Sequence, residues 1–302
     1  LYQLAGNLTI TSSGSLTIEP GVEVRNYGGY SVTANGGFYA DGCTFDLSST
    51  FVKFNSPSSV CDVRNCTITG PTTSSHTPFY FVSGCNGMST ADIVNNTIST
   101  FHRGIHVETG TDGLDLNFVG NEISNCVYGI LIEGSNCTGL LDGNVLTDIA
   151  SYGISFQEGS GNDGVTVSNC QVTGASVSTG FGLYIQNSSP IIDACDIDSL
   201  KYGVGLGSCN SSISNCTISH CTYPVLYSGN VLYPTYSNNT FAGNINENVL
   251  LIAGTIDSDH VWTGELFPGY AILYQLAGNL TITSSGSLTI EPGVEVRNYG
   301  AG

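Results

Sequence analysis

Val167–Val172 reads VSNCQV, Ile192–Ile197 reads IDACDI and Ile213–Ile218 reads ISNCTI, three strings that superpose on one frame. Each carries an apolar residue, a Cys three positions on, and a second apolar residue two positions after that. Extended along the chain, the frame also collects DGCTF, RNCTI, NNTI, GNEI, GNVL and NNTF. The keyed position is Cys43, Cys66, Asn96, Asn121, Asn144, Cys170, Cys195, Cys216 and Asn239, at spacings of 23, 30, 25, 23, 26, 25, 21 and 23 residues. Only Cys or Asn occupies it. The residue before the key is Gly42, Asn65, Asn95, Gly120, Gly143, Asn169, Ala194, Asn215 or Asn238, mostly the residues that tolerate a left-handed backbone. A tight bend is therefore expected once per period.

A second column supplies another strand to each period: RGIHV from Arg103, YGILI from Tyr128, YGISF from Tyr152, FGLYI from Phe181, YGVGL from Tyr202 and YPVLY from Tyr223. Its apolar residues alternate with period two, so Ile105 and Val107, or Ile154 and Phe156, share one face. Short strands and bends recurring every 21 to 30 residues, without helical periodicity, predict an all-β parallel β-helix of about eleven coils. At the spacing of neighbouring strands such a rod is on the order of 50 Å long. The Cys/Asn column then forms an internal ladder, in which stacked Asn amides bond along the axis and Cys serves as a small apolar filler. Metal ligation by the column is disfavoured, because residues spaced at the strand repeat do not converge on one point.

Leu1–Gly28 and Leu273–Gly300 are the same 28-residue string, LYQLAGNLTITSSGSLTIEPGVEVRNYG. Residues 1–272 are therefore expected to be one β-helix unit and residues 273–302 the opening coils of the next, in an excerpt from a tandem array. The closing stretch VWTGELFPGYAI precedes the second copy, and Trp262, Phe267, Pro268 and Tyr270 are the expected joint between units. The string GNLTITSSGSLTIEPGVEV (Gly6–Val24) resembles the opening coils of secreted right-handed parallel β-helix repeat proteins of microbial surfaces. That resemblance covers essentially the whole chain and implies a right-handed helix in an exported setting. It implies no single activity, since the family includes polysaccharide lyases and hydrolases, adhesins, and sheath or surface-layer components.

Charged residues are 10% of the chain and the formal charge is −18, from 24 acidic and 6 basic residues. Such a surface repels nucleic acid and anionic membranes. No segment approaches the roughly 20 apolar residues of a membrane helix, and no charged leader precedes an apolar run. A start at Leu1 rather than Met fits a processed or excerpted chain. Acidic-polysaccharide chemistry asks for cations to hold uronate carboxylates, and the supply is small: Arg25 and its copy Arg297, Lys53, Arg64, Arg103 and Lys201. Asp196 and Asp198 point outward together but have Gln171 and Thr217 as stacked neighbours, with no second carboxylate. The most enzyme-like patch is His102, Arg103, His106 and Glu108. His106 and Glu108 share an outward face, whereas His102 lies about 13 Å before His106 on an extended strand, too far for a common metal. Scattered surface polarity explains the patch, so no catalytic residue, cofactor or metal is assigned, an incidental Ca²⁺ at Asp112, Asp115, Asp257 or Asp259 aside.

Nine Asn-X-Ser/Thr sequons occur, against about six expected from composition. Asn65, Asn95, Asn136, Asn187, Asn210, Asn215 and Asn238 are the glycosylation candidates, with Asn7 and Asn279 in the duplicated block. Six of the eleven Cys lie off the ladder, allowing 15 disulfide connectivities; the registers of Cys126 with Cys221, and of Cys137 with Cys209, suggest clasps between coils. The expectation is a non-catalytic extracellular structural protein. Tandem units would build a filament, sheath or surface lattice by head-to-tail self-association, with lateral contacts and glycans as further partners. The alternative is a carbohydrate-binding adhesin or polysaccharide-active β-helix enzyme, for which Tyr184, Tyr227 and Tyr270 are candidate exposed aromatics.

Overall fold

A computed structural model describes residues 1–71, 75–88, 90–230, 234–246, 249–267 and 270–298. The alternation of inward apolar and outward polar residues closes the chain into a solenoid with three long parallel sheets, in which neighbouring strands are three places apart in the chain as far as Val249–Ile256. Sheet I has eleven strands, from Tyr2–Gln3 to Thr240–Ala242; sheet II has thirteen, from Leu8–Ile10 to Glu295–Asn298; sheet III has ten, from Ser15–Ile18 to Thr235–Ser237. One hydrophobic core runs along the axis. Phe45, Ile68, Ile98, Ile123, Leu146, Val172, Ile197 and Ile218 line it from sheet I, and Ile105, Ile130, Ile154, Leu183 and Val204 from sheet II.

All nine residues preceding the keyed position have φ between +50° and +64°, which turns the chain sharply from sheet III into sheet I. The keyed side chain is thereby directed inward. Asn96, Asn121 and Asn144 are fully buried. Each Oδ1 accepts the backbone N–H of the coil before it, from Cys66, Asn96 and Asn121 respectively, at 3.0 Å. Each Nδ2 donates to a carbonyl of the preceding coil: Val63, Ile93 and Phe118. Where Cys replaces Asn the contact is longer, as in the Cys43 N–H to Cys66 Sγ and Cys195 N–H to Cys216 Sγ bonds of 3.4 Å. The amide is the stronger acceptor; the thiol fills the same corner with a weaker bond.

The other two corners use the same device, which the sequence frame did not reveal. Asn162 Oδ1 accepts from the Cys137 N–H at 2.8 Å, and Asn244 Oδ1 accepts from the Cys221 N–H at 2.9 Å. This placement corrects the expected clasps. All eleven Cys are free and buried. Cys126, Cys137, Cys209 and Cys221 are inward corner fillers; the thiols of Cys126, Cys137 and Cys221 donate to backbone carbonyls two residues earlier, those of Ser124, Ser135 and Ser219.

Glycine decides how closely coils approach at the start of each sheet II strand. A Cβ at Gly104, Gly129, Gly153, Gly182 or Gly203 would lie 2.4–2.7 Å from the carbonyl oxygen of the following coil. The recurrent aromatic-Gly pair is therefore a packing requirement.

Asn121→Ala leaves the buried Asn96 N–H without its acceptor and is expected to cost about 1–3 kcal/mol, with Asn121→Cys closer to wild type, measured as shifts in the urea unfolding midpoint. Burial raises the Cys61 thiol pKa and pushes Cys66 and Cys85 up to about 12. The native protein should therefore resist iodoacetamide at pH 8, and all eleven thiols should alkylate once it is unfolded, as counted by intact mass.

Candidate functional site

Because Ile105 and Val107 point inward, His106 points out, and register stacks it with its counterparts in neighbouring coils. Lys53, Tyr80, His106, Leu131, Ser155, Tyr184 and Gly205 form one outward column on sheet II. One edge is bordered by Arg103, Tyr128, Tyr152, Phe181, Tyr202 and Tyr223. The rings from Tyr128 to Tyr223 stack in sequence at centroid distances of 5.2, 5.3, 4.6 and 5.9 Å. Each ring covers its neighbour's face, so the column presents edges and not the open faces on which a sugar stacks.

A polar groove of about 350 Å³ opens at the His106 end, lined among others by Thr50, Tyr80, Arg103, His106, Glu108 and Glu133. His106 is only 5% exposed. Its Nε2 lies 2.7 Å from Glu133 Oε2 on the next coil, and its ring stacks on Tyr80 at 4.8 Å and 10°. The Tyr80 hydroxyl donates to Glu108. Burial, and then that bond to Glu108, raise the Tyr80 pKa well above its ordinary value, so the phenol stays protonated. His102 is shifted the other way, first by burial and then by Arg103 and His106, and stays neutral.

Arg103 reaches over the Tyr128 ring at 5.6 Å and donates through Nη1 to the Ser75 carbonyl at 3.5 Å. Its buried Nε–H has no hydrogen-bond partner among the described residues. Three other arginines are neutralised: Arg25 by Glu23, Arg64 by Asp62 and Asp92, and Arg297 by Glu295. The cations left without a carboxylate among the described residues are Lys53, Arg103 and Lys201, all on or beside sheet II.

The sequence reading paired His106 with Glu108 and treated the patch as scattered polarity. The structure corrects this: the His106 partner is Glu133, and Tyr80 and Glu108 complete a connected cluster drawn from three coils. A signal was present, since RGIHVE and YGILIE end in the same acid and thus place Glu108 and Glu133 on adjacent rungs. The aromatic candidates fare differently. Tyr227 is 6% exposed with its hydroxyl against Tyr236, so it belongs to the interior; Tyr184 is half-buried against Tyr152 and Phe181.

The glycosylation candidates Asn65, Asn95, Asn136, Asn187, Asn210, Asn215 and Asn238 are all exposed. Asn65, Asn136 and Asn215 donate Nδ2 to Asp41, Asp112 and Asp193 at 2.7 Å. At the expected joint, Trp262 is buried and stacks on Tyr274 at 4.5 Å and 7°. Phe267 and Tyr270 stand in an antiparallel pair, while their side chains, and Pro268 entirely, lie outside the described residues. Asp112, Asp115, Asp257 and Asp259 accept hydrogen bonds from Asn136, Thr138, Asn230 and Ser287, and no cluster of three metal-ligating side chains is found among the described residues.

No curated protein matches the chain. Among solved structures it is similar to the A-module of Azotobacter vinelandii mannuronan C-5 epimerase AlgE4, at 14% identity over 99% of this chain and 90% of that one, with a TM-score of 0.39. It is also similar to endopolygalacturonase I from Stereum purpureum, at 15% identity over 96% and 93% of the two chains, TM-score 0.27, and to the catalytic domain of a GH87 α-1,3-glucanase, at 12% over 99% and 64%, TM-score 0.29. At these values the likeness is one of fold and assigns no activity. These neighbours are nevertheless carbohydrate-active enzymes, and with them the expectation that the protein is not an enzyme is withdrawn. The family model described as "Right handed beta helix region" matches residues 28–190, more than half the chain. The coils described above are thus those of a member of the right-handed β-helix family, to which this chain belongs.

Proposed function

We propose that this protein is a polysaccharide-active β-helix whose groove on sheet II abstracts a proton beside the carboxyl group of a uronate residue. The observation that carries the reading is the connected cluster of Tyr80, His106, Glu108 and Glu133, with the unpaired guanidinium N–H of Arg103 on the same groove. Glu133 accepts the Nε2 proton of His106, which leaves Nδ1 with the lone pair and makes the imidazole a base. Arg103 and Lys53 supply positive charge for the substrate carboxylate, whose neutralisation acidifies the adjacent C–H. Tyr80, held protonated, is the proton donor. In an elimination the electrons of the broken C–H bond form a C=C bond and expel the glycosidic oxygen, which takes the Tyr80 proton.

The overall charge of −18 opposes a polyanion at long range. At physiological salt that repulsion fades beyond about 8 Å, so the local cations decide contact. An extracellular setting suits a polymeric substrate. A second reading, tandem units assembling at a surface as filament, sheath or lattice, is favoured by how the duplicated block is seated.

The test is deuterium wash-in at the carbon bearing the carboxyl group of polyuronate oligosaccharides in D2O, with product absorbance and NMR separating elimination from epimerisation. His106→Ala and Tyr80→Phe are expected to lower turnover about 10²–10⁴-fold, and Arg103→Ala mainly to raise KM. Wild-type protein that neither exchanges that proton nor binds any uronate polymer would overturn the proposal.

A further inference from the structure

Ser99, Ser124 and Thr147 stack rung on rung in sheet I, and the residue after each turns the chain toward sheet II. Those three residues, Thr100, Asn125 and Asp148, are left-handed, with φ of 64°, 53° and 54°. Beside Asp148 the register shifts between Leu146 and Ile149, an irregularity of the kind that re-aims a side chain. A depression of about 530 Å³ opens over this corner, lined among others by Pro71, Phe101, His102, Asn125, Val127 and Asp148. That volume is in the range of small-ligand sites, roughly 300–1,000 Å³.

The depression is distinct from the groove on sheet II, and the two share no lining residue. The Tyr128 ring touches both walls, with His102 against it at 5.4 Å and the Arg103 guanidinium over it at 5.6 Å. The polar groups of the corner are uncommitted. Asn125 and Asp148 are exposed, and neither side chain has a hydrogen-bond or ion-pair partner among the described residues. Elsewhere on the solenoid exposed Asn amides are bonded to carboxylates of the preceding coil, as Asn65 to Asp41, Asn169 to Asp142 and Asn215 to Asp193, each at 2.7 Å.

No Lys or Arg lines the depression, and burial, then Arg103 and His106, hold His102 neutral. A uronate carboxylate would therefore meet Asp148 without a compensating cation. A divalent cation asks for more oxygens than one carboxylate and one amide, and no cluster of three metal-ligating side chains is found among the described residues. An uncharged sugar matches the lining better. Its hydroxyls donate to the Asp148 carboxylate and exchange hydrogen bonds with the Asn125 amide, while its C–H groups lie on Pro71, Phe101 and Val127.

We propose that this corner is a second, non-catalytic carbohydrate site that takes an uncharged hexose unit. It stands apart from the groove chemistry, since it uses no residue of the His106 cluster.

The experiment titrates the full chain with neutral gluco-, manno- and galacto-tetraoses, and separately with tetragalacturonate and CaCl2, by calorimetry and by NMR of the His102 ring. At least one neutral tetraose is expected to bind and to shift the His102 resonances. Asn125→Gly and Asp148→Gly keep the left-handed backbone and remove the side chain; each should weaken that binding about tenfold or more and leave tetragalacturonate binding unchanged. Both side chains are exposed, so the variants should fold as wild type by circular dichroism. If Asp148→Gly does not, Asp148→Asn removes the charge at a position that Asn tolerates. The proposal is overturned if no neutral tetraose binds, if binding is unchanged in the variants, or if Asp148 substitution alters only the response to tetragalacturonate or Ca²⁺. Failure of the groove reading would show instead as absent uronate binding and exchange, with the neutral-sugar response intact.

Discussion

Every corner of this solenoid must bury backbone N–H and C=O groups that no strand can satisfy, and the structure depends on how those groups are bonded along the axis. An inward Asn meets the demand from both sides, its Oδ1 taking an N–H of the preceding coil and its Nδ2 reaching a carbonyl of that coil. This fixes the vertical registration of one coil on the next. The left-handed residue before each ladder position is the conformational cost of directing that side chain inward, met at little strain by Gly and Asn. Cys fits the corner sterically but bonds weakly, so the stretch from Asn96 to Asn144 is the most strongly tied part of the ladder.

Registration also makes the groove. A single strand carries only His106 and Arg103, and their chemistry depends on groups one coil below and one above. Tyr80 supplies the stacked ring and Glu133 the carboxylate because parallel pairing brings residues 26 or 27 positions apart onto adjacent rungs. The glycine column beside the groove has the same origin, since close approach of the coils leaves no room for a Cβ. Precise stacking thus serves stability and places the cluster in one step.

The duplicated block shows what a β-helix end demands. Parallel sheets grow by adding rungs, and an opening rung offers both apolar surface and unpaired strand edges. In its second occurrence the block pairs with Val249–Ile256, and its Tyr274 is buried against Trp262.

The sequence by itself determined the solenoid. Cys43 to Asn239 recur in one frame, their apolar flanks and Asn/Gly bends repeat with them, and a pattern repeated nine times overrides the ambiguity of any short strand. Legible too was the duplication of the 28-residue block. What only the tertiary structure decided was which side chains meet across coils. Period-two alternation says that His106 faces outward, but whether it meets Glu108 on its own strand or Glu133 on the next depends on stacking geometry, and the structure chose Glu133. Tyr80 was invisible because its strand falls outside the aligned aromatic-Gly column. The roles of Cys126, Cys137, Cys209 and Cys221 were hidden for the same reason. Their registers suggested clasps, and only the corner geometry showed that all four are buried and free and that the thiols of Cys126, Cys137 and Cys221 point toward carbonyls.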